Sequence, residues 1–490
     1  MAYYKNYKKP YQSKPVVKQS RVDCNWSNYQ KAIFTDIASG TGNTQVNARA
    51  GSGKTSTIVE GFHHIPTGRK ALMCAFNKSI QLELESRATE GVSVLTLHSL
   101  GFRTCKKAFP RMNSKPDLEK ADGYIKAEVG GDNEKWELRD SLKKAISLSK
   151  GYLANTDEEI KSVMDKHDIN VCDRTEKEFI ELVKKIMTAT GKDTHRVDFN
   201  DMVWLPTHYG ISPEKHDFVF IDEAQDLNKA QIELALSAVN SNGRIISVGD
   251  VFQAIYGFAG ADEHSINNIV SRCNSKELSL SVTYRCAKNI VELAKTIVPD
   301  LEAAPNAVNG IVEHVSISNL QRLARPGDFI LSRVNAPLIK ICLSFLKQGI
   351  PANIQGRDVG QNLLYIIKKS GANNVISFLS WLQDWKEQEY ARLCALKRNT
   401  DLLEDKVDCL ISLCENANNM NEVASNIDTM FYEKDDTNRI MLSSIHKAKG
   451  LERNRVFLLN KTCKPEASQE EKNIYYVGIT RAKNSLFLTA

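Results

Sequence analysis

The stretch Ala50-Gly51-Ser52-Gly53-Lys54-Thr55 lies between a β-rich run, TQVNA at 44–48, and a helical segment that opens with Ser56 and continues TIVEGF. A polyphosphate carries dense negative charge, so backbone N–H groups must converge on it, which only small residues allow. It also calls for a helix N-terminus, one ammonium, and one hydroxyl for a divalent cation. Gly51 and Gly53 permit the close approach, Lys54 brings the ammonium and Thr55 the hydroxyl, with Ala50, Ser52 and Ser56 completing the loop. ATP with Mg²⁺ is the expected ligand. Ala48 stands where the strict pattern has its first glycine, which leaves the rest of the loop intact.

The second decisive stretch is FVFIDEAQD at 218–226, an apolar strand that ends in Asp222 and Glu223. A carboxylate at a strand tip beside a phosphate loop can hold Mg²⁺ together with Thr55, and its neighbour can deprotonate an attacking water. The two stretches in this order, each after its own strand, predict ATP hydrolysis.

Outward from these anchors, short apolar runs alternate with helical periods: KALMCAF at 70–76, VSVLTL at 92–97, RIISVGD at 244–250 and LSLSVTY at 278–284. A second set follows: DFILSR at 328–333, IMLSSI at 440–445, RVFLLN at 455–460 and SLFLTA at 485–490. Continuous apolar strands between helices mean parallel sheets covered on both faces, so two α/β sheets are expected. The stretches 106–197 and 359–435 break the alternation with Lys, Glu, Leu and Ala at helical spacing and read as inserted helical subdomains.

The 490 residues suit two main domains with satellites. At 42% apolar and 25% charged the composition is that of a globular chain, which argues against a disordered or fibrous protein. No run of apolar residues is long enough to span a bilayer, and no leader is apparent, so a cytoplasmic or nuclear protein without a membrane partner is expected. The 11 cysteines are scattered without metal-ligand spacing. The net charge of +6 is matched by Lys5, Lys8, Lys9, Lys14, Lys18 and Arg21, in an N-terminal stretch with no acid. Tyr3, Tyr4, Tyr7 and Tyr11 interleave with those cations. Residues 1–22 therefore read either as a disordered tail that stacks bases and contacts phosphates or partner proteins, or as a solvated terminus.

From about Trp26 to the C-terminus the order of motifs resembles the UvrD/Rep-type helicases of superfamily 1, in a short form similar to phage-encoded and F-box-related members. DEAQD at 222–226 carries much of that resemblance, which makes Glu223 the catalytic base. WSNYQ at 26–30 resembles an adenine-reading motif and implies that Gln30 binds the base edge. CAFNKSIQLELESR at 74–87 and TLHSLG at 96–101 resemble strand-binding segments, implying Phe76, Asn77, Thr96 and His98 as contacts. VGDVFQAIYGFAGA at 248–261 implies that Gln253 senses the γ-phosphate while Tyr256 and Phe258 face bases. TYRC at 283–286 implies Tyr284 on adenine and Arg285 on the γ-phosphate, and ILSRVN at 330–335 implies Arg333 and Asn335 on the strand. SSIHKAKGLE at 443–452 implies His446 and Lys449 on the strand path and Glu452 at the ribose. YVGITRAK at 476–483 makes Arg481 the arginine finger.

The resemblance implies an α/β fold of two RecA-like P-loop NTPase domains, parallel sheets covered by helices, with two inserted helical subdomains. The expected boundaries are 23–105 with 198–285 for the first motor domain and 286–358 with 436–490 for the second, the insertions being 106–197 and 359–435. It further implies a 3′–5′ DNA helicase acting on single-stranded DNA and on single-strand/duplex junctions in repair, recombination or replication. A translocase that strips proteins from single strands, and a non-catalytic nucleic-acid-binding protein, are the alternatives. Departures from the family pattern are Arg49, where relatives often have glycine, Phe252 in place of an acid, Phe258 in place of tryptophan, and a short span between Arg285 and His446. The short span predicts a reduced second insertion.

Overall fold

Six strands form the first sheet: Thr44–Ala48 (β1), Ala71–Ala75 (β2), Val92–Thr96 (β3), His216–Ile221 (β4), Val239–Gly249 (β5) and Lys276–Leu280 (β6). Their spatial order is β3-β2-β4-β5-β1-β6, and every pairing is parallel. β2 is buried at all five positions, as an apolar strand covered on both faces must be. The structure, a computed structural model, describes residues 25–132, 135–395, 400–415, 417–431 and 437–489. The basic, tyrosine-rich tail expected at 1–22 lies outside the described residues.

A second six-stranded parallel sheet is made of Ile311–Val315 (β9), Phe329–Ser332 (β10), Ala352–Ile354 (β11), Ile440–Ser444 (β12), Arg453–Leu458 (β13) and Ala482–Thr489 (β14). Its order is β11-β12-β10-β13-β14-β9. A two-stranded ladder of Val282–Thr283 (β7) and Glu302–Ala303 (β8) sits in the chain between the two sheets. One buried cluster includes Ala50 of the phosphate loop and Ile255 together with Phe329, Met441, Tyr476 and Leu486 of the second half. The cleft between the sheets is thus closed by apolar packing as well as by polar contacts.

Between β3 and β4 the chain builds helices at Leu97–Ala108, Lys120–Val129, Trp136–Tyr152, Asp157–Lys166, Glu176–Lys192 and Phe199–His208. Thr156 with Glu159, and Thr175 with Glu178, close capping boxes. These helices pack a core of their own around Leu142, Ile146, Phe179, Val183 and Trp204. Asp198 caps Phe199–His208 through a capping box. Its partner in that box, Asp201, also accepts 2.6 Å ion pairs from Lys120 and Lys150, with all three side chains almost wholly buried. Deleting one member of such a triad strands a buried charge, which costs about 3–5 kcal/mol.

Between β11 and β12 come helices at Arg357–Ser370, Val375–Ala395, Asp401–Cys414 and Met420–Met430. Their buried Phe378, Leu410, Leu413 and Ile427 belong to the same cluster as Ile354 and Leu442 of the second sheet and Phe345 of the helix Ala336–Lys347. This insertion does not enclose a separate core, because its helices pack against the apolar face of the second sheet and share its core. No described helix is long and apolar enough to cross a membrane.

Candidate nucleotide cleft and strand track

In a parallel sheet the loops after the strands all open on one edge, the usual place for a site. The phosphate loop leaves β1, Asp222 and Glu223 follow β4, and Asp250 follows β5, the strand between them. Gly51 holds φ +72°, and a Cβ there would lie 2.5 Å from both Arg285 Cβ and Thr283 Oγ1. The loop is clamped from two sides: the Tyr284 N–H donates to Gly51 O at 2.9 Å, and the Ala50 N–H donates to the Tyr476 hydroxyl at 3.0 Å. The Ser52 hydroxyl is buried with no hydrogen-bond partner, an exception that commonly marks a ligand position. Gly51→Ala must relieve both the overlap and the left-handed backbone, at about 1–3 kcal/mol. We expect it to weaken binding of a fluorescent ATP analogue by about tenfold or more; affinity equal to the wild type would show that the loop can give.

Lys54 Nζ donates to Glu223 Oε1 at 2.7 Å, and Gln225 Nε2 donates to Glu223 Oε2 at 2.6 Å. Glu223 itself sits at φ +48°, a strained position for a residue with a side chain, and its N–H donates to Asp222 Oδ1 at 2.9 Å. Burial opposes ionisation of Glu223, yet Lys54 and Lys449 overcome it and hold the carboxyl well below the usual range. Burial and the neighbouring Glu223 charge push Asp222 the other way, well above the usual carboxylate range. Adjacent acids driven apart in this manner take different roles. Glu223 is the ionised one and so can accept a proton, while Asp222 is a carboxylate that gains from added positive charge.

Arg285, which packs against Gly51, reaches across the cleft to form an ion pair with Glu452 and donates from Nη1 to Thr480 O at 3.3 Å. Glu452 also pairs with Lys483 at 2.7 Å. The Arg481 guanidinium is 1% exposed, with Nε donating to Val477 O at 2.9 Å, Nη1 to Leu451 O at 3.2 Å and Nη2 to Thr480 Oγ1 at 3.2 Å. No carboxylate among the described residues forms an ion pair with it. Burial, then the neighbouring Arg285, presses its pKa down to about 9, which still leaves it cationic at neutral pH. A buried cation held only by carbonyl and hydroxyl dipoles gains strongly from an anion.

The loops after β5 and β12 interlock. Asp250 Oδ2 accepts from Gln253 Nε2 at 2.7 Å, and the Asp250 N–H donates to Gln225 Oε1 at 3.0 Å. Lys449 Nζ donates to Asp226 at 2.6 Å and to the Gln253 carbonyl at 2.6 Å, and lies 4.7 Å from the Tyr256 ring centre. Tyr256 donates to the His446 carbonyl at 3.3 Å, and the His446 ring meets Phe258 edge-on at 5.3 Å. Phe258 is 59% exposed, which leaves its ring open to solvent. On the first sheet, Phe76 after β2 is also exposed, and His98 after β3 packs 4.2 Å from the exposed Phe199. Burial drives the pKa of both His98 and His446 down to about 4, so both rings are neutral at pH 7.

The family model described as "UvrD/REP helicase N-terminal domain" matches residues 28–274, and that described as "UvrD-like helicase C-terminal domain" matches 361–490. The chain belongs to the UvrD/REP helicase family. Relatives of this family include "F-box DNA helicase protein 1" of Schizosaccharomyces pombe, 24% identical over 91% of this chain and 55% of the relative. "ATP-dependent DNA helicase PcrA" of Staphylococcus epidermidis is 25% identical over 52% of the chain and 37% of its own length. "ATP-dependent DNA helicase Rep" of Escherichia coli is 25% identical over 53% and 41%. The chain spans roughly a third to just over half of the length of these UvrD/REP relatives.

Against the family pattern, the structure gathers Lys54, Glu223 and Asp222 around one loop and Arg285, Glu452 and Arg481 around another. Tyr284 stands half exposed beside the phosphate loop. Gln30 is almost wholly buried, and both ends of its amide are in use: Oε1 accepts from the Ser27 N–H and Nε2 donates to Thr57 Oγ1 at 3.0 Å. Asn77 and Thr96 cap the helices Lys78–Glu85 and Leu97–Ala108. Asn335 is engaged by Asp405 at 3.0 Å and Arg333 by Glu471 at 2.8 Å. Sequence reasoning passed over Asp226, Asp250, Tyr476 and Phe199. Asp250 ends VGD and was visible as a further acid at a strand tip, and Asp226 ends DEAQD in the turn that follows Glu223. Phe199 sits inside DFNDMVWLP with no local sign that its ring is exposed.

Proposed function

We propose that this chain is an ATP-dependent DNA helicase that moves 3′–5′ along single-stranded DNA and opens duplexes at single-strand junctions, in repair, recombination or replication. The observation that carries the reading is the buried Arg481, a cation without a carboxylate, beside Arg285 and across the cleft from Lys54 and Glu223. Charge spreading onto a γ-phosphate in hydrolysis is stabilised by cations from both halves. Lys54, released from Glu223 by a bound triphosphate, leaves that carboxylate free to take the proton of the attacking water. Drawing Arg481 toward the phosphates closes the cleft, and loss of the γ-phosphate relaxes it. The Thr55 hydroxyl and the buried Asp222 carboxylate are hard oxygen donors suited to Mg²⁺, which neutralises phosphate charge when bound.

Phe258 with Tyr256, and Phe199 with His98, offer rings on which bases stack without being read, at about 1–3 kcal/mol per base. The interlock of Lys449 with Asp226 and Gln253 joins this track to the carboxylate loop, so strand binding should raise ATP turnover. The test is ATPase activity with and without oligo(dT), followed by strand displacement from duplexes with 3′ or 5′ tails. Stimulation with release from 3′-tailed substrates is expected; turnover indifferent to single strands would end this reading.

A second reading is favoured by the second insertion, whose helices share the core of the second sheet and make no separate arm. On this reading the protein walks along single strands and evicts bound proteins with little unwinding. Eviction of a streptavidin block without release of an annealed strand would select it.

A further inference from the structure

Arg49 immediately precedes the phosphate loop Ala50–Thr55. It is also the best-tethered side chain in the cleft. Its Nη1 donates to Asp250 Oδ1 at 3.1 Å, its Nε to Asp300 Oδ1 at 3.0 Å and its Nη2 to Asp300 Oδ2 at 2.8 Å. Its guanidinium lies 4.8 Å from the centre of the Phe252 ring. The side chain is mostly buried, Asp250 fully so, and Asp300 half exposed. The fork of a guanidinium serves two carboxylates at once, a geometry that an ammonium cannot match.

Asp250 is the junction of two polar chains. One runs from its N–H through the Gln225 amide to Glu223 Oε2. The other runs from Oδ2 through Gln253, whose carbonyl accepts from Lys449, to the Tyr256 ring. Base and strand track therefore meet at one residue, the first on its backbone N–H and the second on its carboxylate, and Arg49 is the cation that forms that carboxylate's ion pair. Without that cation a fully buried carboxylate either protonates or leaves its position. Protonation weakens the hold on Gln253 Nε2, and displacement of Asp250 also moves the backbone N–H that Gln225 Oε1 accepts from.

Resting on the ATPase and strand-binding reading above, we propose that Arg49 is a positioning residue that transmits strand occupancy to the catalytic base by holding Asp250 at the junction of the two chains. Arg49 does not itself touch the reacting atoms.

The experiment compares wild type with Arg49→Lys, Arg49→Gly and Asp300→Asn in the full chain. The readouts are ATP turnover with and without saturating oligo(dT), KM for ATP, Kd for the oligonucleotide, and Tm. The stimulation ratio should fall by about tenfold or more in both Arg49 variants and by less in Asp300→Asn, a coupling loss of ordinary size. KM and Kd should stay within about threefold of wild type, since neither ground-state complex is the target. Stimulation kept within about threefold in Arg49→Lys and Asp300→Asn overturns the proposal, as does a loss wholly accounted for by raised KM. Should Arg49→Gly fail to fold, the other two variants decide. A wild type that single strands do not stimulate overturns the functional reading and the proposal with it, whereas stimulated wild type and stimulated variants overturn the proposal alone.

Discussion

Replacing Glu223 with glutamine is expected to lower strand-stimulated ATP turnover by about 10²–10⁴-fold, the usual contribution of a general base. The side chain keeps its length and one acceptor oxygen, so the hydrogen bond from Gln225 or that from Lys54 can persist, but the amide cannot take a proton from water. The ion pair between Lys54 and Glu223 disappears at the same time. Lys54 then reaches a triphosphate without first giving up a carboxylate, so affinity for a non-hydrolysable ATP analogue should hold or rise. Asp222 loses the like charge beside it, and its carboxyl returns toward the ordinary range. Turnover within about threefold of wild type, at normal affinity, would remove Glu223 from the role of base.

The second large effect is expected at Arg481. Arg481→Ala should cost about 10³–10⁵-fold in turnover, the range for a cation that meets charge developing in phosphoryl transfer. Its stability cost is separable. Removing the guanidinium leaves the Leu451 carbonyl without this donor, worth about 1–3 kcal/mol for a group left unpaired, while the Val477 carbonyl still accepts from the Thr480 hydroxyl. A Tm measurement therefore accompanies the kinetics. Arg481→Lys retains charge but not the fork that spans both carbonyls, so it should fold better than the alanine variant and recover little of the rate. The loss should fall on kcat with KM for ATP little changed, because the group acts on the transition state. An Arg481→Ala protein that folds and turns over within about tenfold of wild type would place the trans-acting cation elsewhere, with Arg285 the next candidate.

Much of the site was readable because its chemistry is local. A loop that cradles phosphate must combine glycines, lysine and a hydroxyl within a few residues, and Ala50 to Thr55 display that combination whatever lies around them. A strand tip bearing Asp222 and Glu223 is equally local, as are the caps at Ser27, Thr156, Thr175 and Asp198. The continuous apolar runs of β2, β4 and β12 likewise announced parallel strands covered on both faces.

What no window of sequence contains is the partner of each charged group. Lys54 meets Glu223 across 169 positions and Lys449 meets Asp226 across 223. Those meetings follow from β5 lying between β4 and β1, and from the helix Gln469–Ile479 reaching back to Ala50 through Tyr476. Asn335 offers the same lesson in reverse: its motif suggested a strand contact, while packing supplied Asp405 from a helix of the second insertion. Burial is likewise a property of the assembled chain, and it is the largest cause of the lowered pKa of His98, His446 and Arg481. Residue type and short spacing thus determined what chemistry is present, because both act within a turn or a strand. Tertiary structure decided which groups are paired, charged or poised, because electrostatic energy depends on distance and desolvation, and neither is written in the order of residues.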